Sequence, residues 1–154
     1  MVELLLQLCR EKGLRLATAE SCTGGMIAAA LTDIAGSSEV FECGFVTYSN
    51  AAKSDMLGVV AALIEAQGAV SEPVASAMAE GALKHSQADI AVAVTGIAGP
   101  GGGSGEKPVG TVWIGLCKRG EKPQAYLHHF SGDRAAVRQK TVNQALEYLH
   151  ESAA

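Results

Sequence analysis

The chain has 154 residues, 48% of them hydrophobic and 18% charged, with a formal net charge of −4. That length buries a core without disulfides or metal, and that balance excludes disorder outside one loop. No basic cluster exceeds the pair Lys118-Arg119, so the electrostatic footprint of a nucleic-acid binder is missing and a small ligand is the expected partner.

Residues 1–154 read as one domain, with no linker and no internal repeat. The opening MVELLLQLCREKG is an amphipathic helix from about Glu3 to Glu11, stopped by Gly13 as a left-handed C-cap, and not a signal peptide. No apolar run approaches the ~18 residues needed to span a bilayer, so a soluble, cytoplasmic protein without membrane contact is expected. Leu14 to Ala17 reads as a short strand, and MIAAAL from Met26 to Leu31 as a buried helix that begins at Gly24 and reaches about Ile34. Phe41 to Tyr48 is rich in aromatic and β-branched residues and reads as a second strand. Asn50 to Leu57 follows as a short helix capped by Asn50 and closed by Gly58, with Lys53 on its first turn.

Val60 to Gln67 is a further short helix, and Ser71-Glu72-Pro73 starts a longer one that runs to Lys84. Ala88 to Thr95, ADIAVAVT, is a continuous apolar strand of the kind buried on both faces at the centre of an α/β sheet. The glycine-rich segment Gly96 to Gly105 joins it to a strand from Thr111 to Cys117. A tight connection through Gly120-Glu121-Lys122-Pro123 then predicts an antiparallel hairpin with Gln124 to Phe130. The last helix opens at Ser131-Gly132-Asp133-Arg134 and carries the apolar stripe Val137, Val142, Leu146 and Leu149. The expected fold is a three-layer α/β/α sandwich with a mixed, mostly parallel sheet and an antiparallel hairpin near the C-terminus.

Within this frame Ser21, Cys22, Thr23, Gly24 and Gly25 fall between a strand and the first turn of a helix. Unpaired N–H groups and the positive end of the helix dipole there favour an anion or a developing negative charge. A serine or threonine at such a join also serves as a helix cap. The glycine pair costs the helix start roughly 1 kcal/mol per residue, a sign of close approach to the backbone. Tyr48 and Lys53 flank a second strand-to-helix corner, as a pair able to activate a serine. Singly, a core-edge tyrosine and a solvated helix lysine account for them. Lys107 is a spare base.

Cys22 is the rival nucleophile, in a set with Glu20 and Lys53, and spacing does not separate the two. Ser21 is not in Gly-x-Ser-x-Gly, and none of the four histidines is placed for a Ser-His-Asp triad. His128 and His129 point to opposite faces of one strand, the cysteines Cys9, Cys22, Cys43 and Cys117 have no metal-ligand spacing, and Cys9, Cys43 and Cys117 read as buried thiols. No metal site and no cofactor are expected. The segment Gly96 to Gly105 lacks the Gly-Lys-Ser/Thr of a phosphate-binding loop and the spacing of a dinucleotide fingerprint. Its place after the central strand, with Thr95, Gly96 and Gly99, still makes it a substrate-binding loop.

Five stretches in this order resemble the CinA C-terminal domain family. They are Ala19 to Gly25 (AESCTGG), Gly44 to Lys53 (GFVTYSNAAK), Gly68 to Val74 (GAVSEPV), Thr95 to Pro100 (TGIAGP) and Lys107 to Val112 (KPVGTV). The match extends from about Leu14 to the Gly132-Asp133-Arg134 helix, and the N-terminal domain of many CinA proteins is not in it. The stand-alone members are nicotinamide-nucleotide amidohydrolases. The resemblance therefore implies hydrolysis of the nicotinamide mononucleotide carboxamide to nicotinate mononucleotide and ammonia, without metal or organic cofactor. It implies that the family's serine, tyrosine and lysine are Ser21, Tyr48 and Lys53. Ser21 is then the attacking group, backbone N–H groups around Thr23 and Gly24 are expected to hold the oxyanion with Gly25 among the substrate-binding residues, and the guanidinium groups of Arg134 and Arg138 are expected to join the glycine loop on the ribose phosphate. A homo-oligomer is compatible with this assignment. The competing class is a non-catalytic nucleotide-binding or regulatory domain, against which the complete set Ser21, Tyr48 and Lys53 weighs.

Overall fold

Ile90, Val92 and Val94 leave one face of strand β3 (Ile90–Gly96), while Ala91 and Ala93 leave the other, and this difference in size organises the layers. The computed structural model describes residues 1–154. The larger side chains meet α1 (Val2–Lys12), α2 (Met26–Thr32) and α6 (Arg134–Ala153) in a cluster that includes Leu5, Ile27, Val137 and Leu149. The alanines face α3 (Asn50–Leu57), α4 (Ala61–Gln67) and α5 (Glu72–Lys84), where Leu57, Ile64, Val74 and Met78 supply the bulk. The sheet between them is the middle of three layers, and its central strand is apolar on both faces as such a position requires.

The strand order is β2-β1-β3-β4-β5, with β1 (Leu16–Glu20), β2 (Phe41–Val46), β4 (Thr111–Lys118) and β5 (Gln124–His129). β1 runs parallel to both β2 and β3, whereas β3, β4 and β5 are antiparallel neighbours. The expected mixed sheet and C-terminal hairpin are therefore present. No helix is long and apolar enough to cross a membrane.

On the alanine side the sheet floor is shallow, and α5 lies directly on it. Gly115 of β4 pairs with Ala93, and a Cβ added to it would stand 2.3 Å from the Ala75 carbonyl oxygen of α5. Gly115→Ala is expected to cost about 1–3 kcal/mol of overpacking. That corresponds to a fall in Tm of roughly 3–10 °C for a chain of this size, readable by calorimetry. An unchanged Tm would show that α5 moves away freely.

Register fixes where chemistry gathers. Glu20 pairs with Val46 of β2 and Val94 of β3, so Ser21, Thr47 and Thr95 leave the carboxyl ends of adjacent parallel strands at one edge. Open α/β sheets bind ligands at such an edge.

Several boundaries differ from the pattern reading. β1 is Leu16–Glu20 and not Leu14–Ala17, because Thr18 and Glu20, polar by type, are sandwiched between two strands and fully buried. α2 is shorter than Gly24 to Ile34, since Gly24 and Gly25 are left-handed turn residues, and a 3-10 turn at Ser37–Glu39 follows it. The cap of α3 is Ser49, whose hydroxyl accepts from the Ala52 N–H, and Asn50 is already helical.

Candidate active site

Ser21 is the first residue past β1, and its N–H still donates to Val94 O of β3 at 3.0 Å. The chain then turns: Gly24 N–H donates to Ser21 O at 3.1 Å, and Gly24 and Gly25 adopt φ of 59° and 109°. Those values lie in the left-handed region, which glycine enters without strain. The start of α2 is closed by Glu20. Its buried carboxylate accepts from Thr23 Oγ1 at 2.6 Å, Ile27 N–H at 2.8 Å and Ala28 N–H at 3.1 Å. The helix dipole expected to serve an external anion is therefore used by a residue of the chain itself. The N–H groups of Cys22 and Thr23, directly after Ser21, have no acceptor in the chain.

Lys53 comes from the other strand-to-helix corner and is only 1% exposed. Ser49 caps α3 and thereby sets the phase that turns the fourth helical residue inward. Lys53 Nζ donates to Thr47 O at 2.8 Å and Tyr48 O at 3.2 Å, and its third contact is Ser21 Oγ at 2.9 Å. Two carbonyls fix two N–H bonds, so the remaining tetrahedral position of the nitrogen faces the serine oxygen. Burial lowers the Lys53 pKa from the ordinary 10.5, a shift opposed in part by the nearby Cys22 thiol. No carboxylate touches the amine, so nothing restores the proton affinity that burial removes. Burial thus shifts the amine towards its neutral form, the form able to accept the serine O–H.

Cys22 is placed differently. Its side chain belongs to the core cluster under α6, and burial pushes its thiol up to about 11, with the Glu20 charge adding to the rise. Glu20 is turned into the start of α2. The alternative set of Glu20, Cys22 and Lys53 is therefore not assembled.

Ser21, Cys22 and Lys53 border a cavity of about 260 Å³ whose further walls come from Tyr48, Thr95 to Gly99, Gly101, Gly102 and Arg134. Arg134, the first residue of α6, donates from Nη1 to Gly99 O at 2.8 Å and from Nη2 to the Tyr48 hydroxyl at 3.0 Å. It ties the glycine loop to the β2–α3 corner across the cavity mouth. The Tyr48 hydroxyl thus meets Arg134, while only the Tyr48 carbonyl meets Lys53. Thr95 Oγ1 donates to Ala69 O at 3.0 Å and fixes the turn between α4 and α5 as a wall.

Asn50 and Val70 also line the cavity, and sequence pattern does not single them out. Asn50 resembles an ordinary cap, and its neighbourhood to Tyr48 is the one available signal. Gly24, Gly25 and the side chains of Thr23 and Arg138 do not line it. The Thr23 hydroxyl is buried on Glu20, and Arg138 lies behind the turn. Lys107 donates to Gln67 O at 2.8 Å and is likewise outside. A larger hollow of about 350 Å³ lies beside Tyr126 and Tyr148, whose hydroxyls bond Gln124 Oε1 and His128 Nε2. No three His, Cys, Asp or Glu side chains converge on one point. Cys43 is half-buried, not buried, and all four cysteines are free thiols.

Residues 1–153 match the family described as CinA C-terminal domain. The chain is 53% identical to the nicotinamide-nucleotide amidohydrolase PncC of Escherichia coli K12, over 93% of this chain and 87% of that protein. It is 54% identical to a CinA-like protein of Akkermansia muciniphila over 90% of its length, and spans about a third (34%) of that relative. Among solved structures, the competence/damage inducible protein CihA from Agrobacterium tumefaciens superposes with a TM-score of 0.93 at 51% identity, covering 96% of this chain and 92% of that one.

Proposed function

The chain belongs to the CinA C-terminal domain family, and from that membership we propose that residues 1–154 act as one cytoplasmic amidohydrolase domain. Its reaction is the conversion of nicotinamide mononucleotide to nicotinate mononucleotide and ammonia. The observation that carries the proposal is the buried Lys53 amine, held by two carbonyls and facing Ser21 Oγ at 2.9 Å. The substrate comes from the activity named for relatives such as PncC.

Ser21 Oγ attacks the carboxamide carbon as its proton passes to the neutral Lys53 amine. The oxygen of the tetrahedral intermediate is held by the Cys22 and Thr23 amides, each worth on the order of 3 kcal/mol when well placed. The C–N bond then breaks as the nitrogen gains the proton carried by Lys53. The Tyr48 oxygen accepts from Arg134, which leaves its own O–H free to relay that proton. Ammonia departs from a Ser21 ester. Water adds to the ester, Lys53 takes its proton, and breakage of the ester bond returns a proton to Ser21 and releases the carboxylate.

The ribose phosphate is assigned to Gly96 to Gly105 and Arg134, whose guanidinium has donors beyond the two in use. The test is to incubate the protein with nicotinamide mononucleotide and a chelator and to follow ammonia, with free nicotinamide in parallel. Release from the mononucleotide, and much less from nicotinamide, is expected. No release above the buffer blank while calorimetry shows the nucleotide bound would favour a binding or regulatory domain instead. Activity lost to the chelator would overturn the metal-free chemistry.

The pH dependence has a defined sign. Catalysis needs Lys53 neutral, and burial lowers its pKa. Ammonia release is therefore expected to rise with pH along a limb whose midpoint lies below the ordinary lysine value of 10.5. A rate flat across the neutral and alkaline range, or one falling there, would remove Lys53 as the base.

A further inference from the structure

Arg138 follows Arg134 by one turn of α6, about 6 Å along the helix axis, and this displacement takes it out of the cavity. Its Nε donates to Cys22 O at 3.0 Å and its Nη2 to Thr23 O at 3.3 Å. The guanidinium lies against the outer side of the Ser21 turn. A Cβ at Gly24 would stand 3.6 Å from Nη2, an ordinary contact distance, so the guanidinium lies directly beside this glycine.

A trans peptide is planar, and its C=O and N–H point to opposite sides. Holding Cys22 O on Arg138 therefore fixes the direction of the Thr23 N–H, which belongs to the same peptide and has no acceptor in the chain. The Gly24 N–H of the next peptide is already bonded to Ser21 O. A positive charge on the carbonyl oxygen also draws electron density through the amide and makes its N–H a stronger donor.

We infer that Arg138 is a positioning residue that holds the Cys22–Thr23 peptide so that the Thr23 N–H is a fixed donor to the oxyanion formed when Ser21 attacks. This role rests on the amidohydrolase activity proposed above. It differs from the phosphate contact that a basic helix start suggests, because it acts on the chemical step and not on binding.

The experiment is Arg138→Ala, assayed for kcat and KM on nicotinamide mononucleotide. Loss of one oxyanion donor costs about 10²- to 10³-fold, and a donor left in place but unheld should cost less. A fall in kcat of roughly 10- to 100-fold is expected, with KM changed by less than about threefold and kcat partly restored by dilute guanidinium ion. Should the alanine variant not fold, Arg138→Gln, which keeps one donor for Cys22 O, is expected to show a smaller fall in kcat at the same KM. A rise in KM at unchanged kcat in either variant overturns the inference in favour of a phosphate contact.

A fluorophosphonate probe tests the same amide without the nucleotide. The Ser21 O–P bond forms, fluoride leaves, the serine proton goes to Lys53, and the phosphoryl oxygen takes the oxyanion's position. Intact mass should show Ser21 labelled more slowly in the variant than in the wild type. Wild-type labelling without ammonia release would remove the nucleotide substrate and keep this role for Arg138. Equal labelling rates in the two proteins, or no labelling of Ser21 in either, would overturn it.

Discussion

Ser21→Ala is expected to lower ammonia release by at least about 10⁴-fold, the scale of nucleophile loss in serine hydrolases, while Cys22→Ala keeps activity within roughly tenfold of the wild type. The two residues are adjacent in sequence and both buried, so the difference comes from what surrounds each heteroatom. Ser21 Oγ has an amine at 2.9 Å that is biased towards its neutral form. The Cys22 thiol sits in the apolar cluster with Ile27 and Val137, and burial pushes it up to about 11, so almost none is thiolate near neutrality. The Cys22→Ala variant removes a core group that is 5% exposed and should lose some stability, about 1–2 kcal/mol for a small buried side chain. Activity is therefore to be compared at a temperature where both variants are folded by circular dichroism. Full turnover in Ser21→Ala with loss in Cys22→Ala would transfer the nucleophile to sulfur.

Lys53→Met is expected to lower kcat by about 10²- to 10⁴-fold, the contribution of a positioned general base. Methionine fills the volume of the lysine stem and adds no charge, so the variant isolates the amine. Two effects on stability oppose each other. Thr47 O and Tyr48 O lose their donor, which costs about 1–3 kcal/mol for buried groups left unpaired, while the cost of burying the polar amine and displacing its protonation equilibrium disappears. Only a small shift in Tm should follow. Lys53→Arg is expected to be equally inactive, because a guanidinium stays protonated and cannot take the serine proton. A kcat in Lys53→Met within threefold of the wild type would exclude the amine as the base.

The elements were legible where local chemistry is one-sided. The run ADIAVAVT, short and rich in β-branched residues, reads as a doubly buried strand, and β3 occupies the sheet centre with its large and small residues sorted to opposite faces. Gly13 and Gly58, each placed at the end of an amphipathic or capped segment, are left-handed C-caps. Legibility failed at Thr18 and Glu20, whose polarity suggests a turn. Glu20 is instead the last residue of a buried strand, because a carboxylate becomes tolerable there once the Ile27 and Ala28 amides and the Thr23 hydroxyl satisfy it. Those partners lie three to eight residues away in a different element, beyond what a local pattern encodes.

The sequence by itself determined which groups are available and where each backbone segment turns: a serine and a glycine pair after one strand, a tyrosine and a lysine around the corner of the next. Only the tertiary structure decided which of them meet. Parallel pairing of β1 with both β2 and β3 brings Ser21 to Lys53 across 32 positions of sequence, while Cys22, also at the cavity wall, is packed into the core cluster. Packing of α6 sends Arg134 into the cavity and Arg138 behind it, although four residues of sequence separate them and both are the same cation. The physical reason is range: caps, turns and periodicity act over about one helical turn or one hairpin, whereas the burial that lowers the Lys53 pKa exists only after two strands and a helix have closed around it.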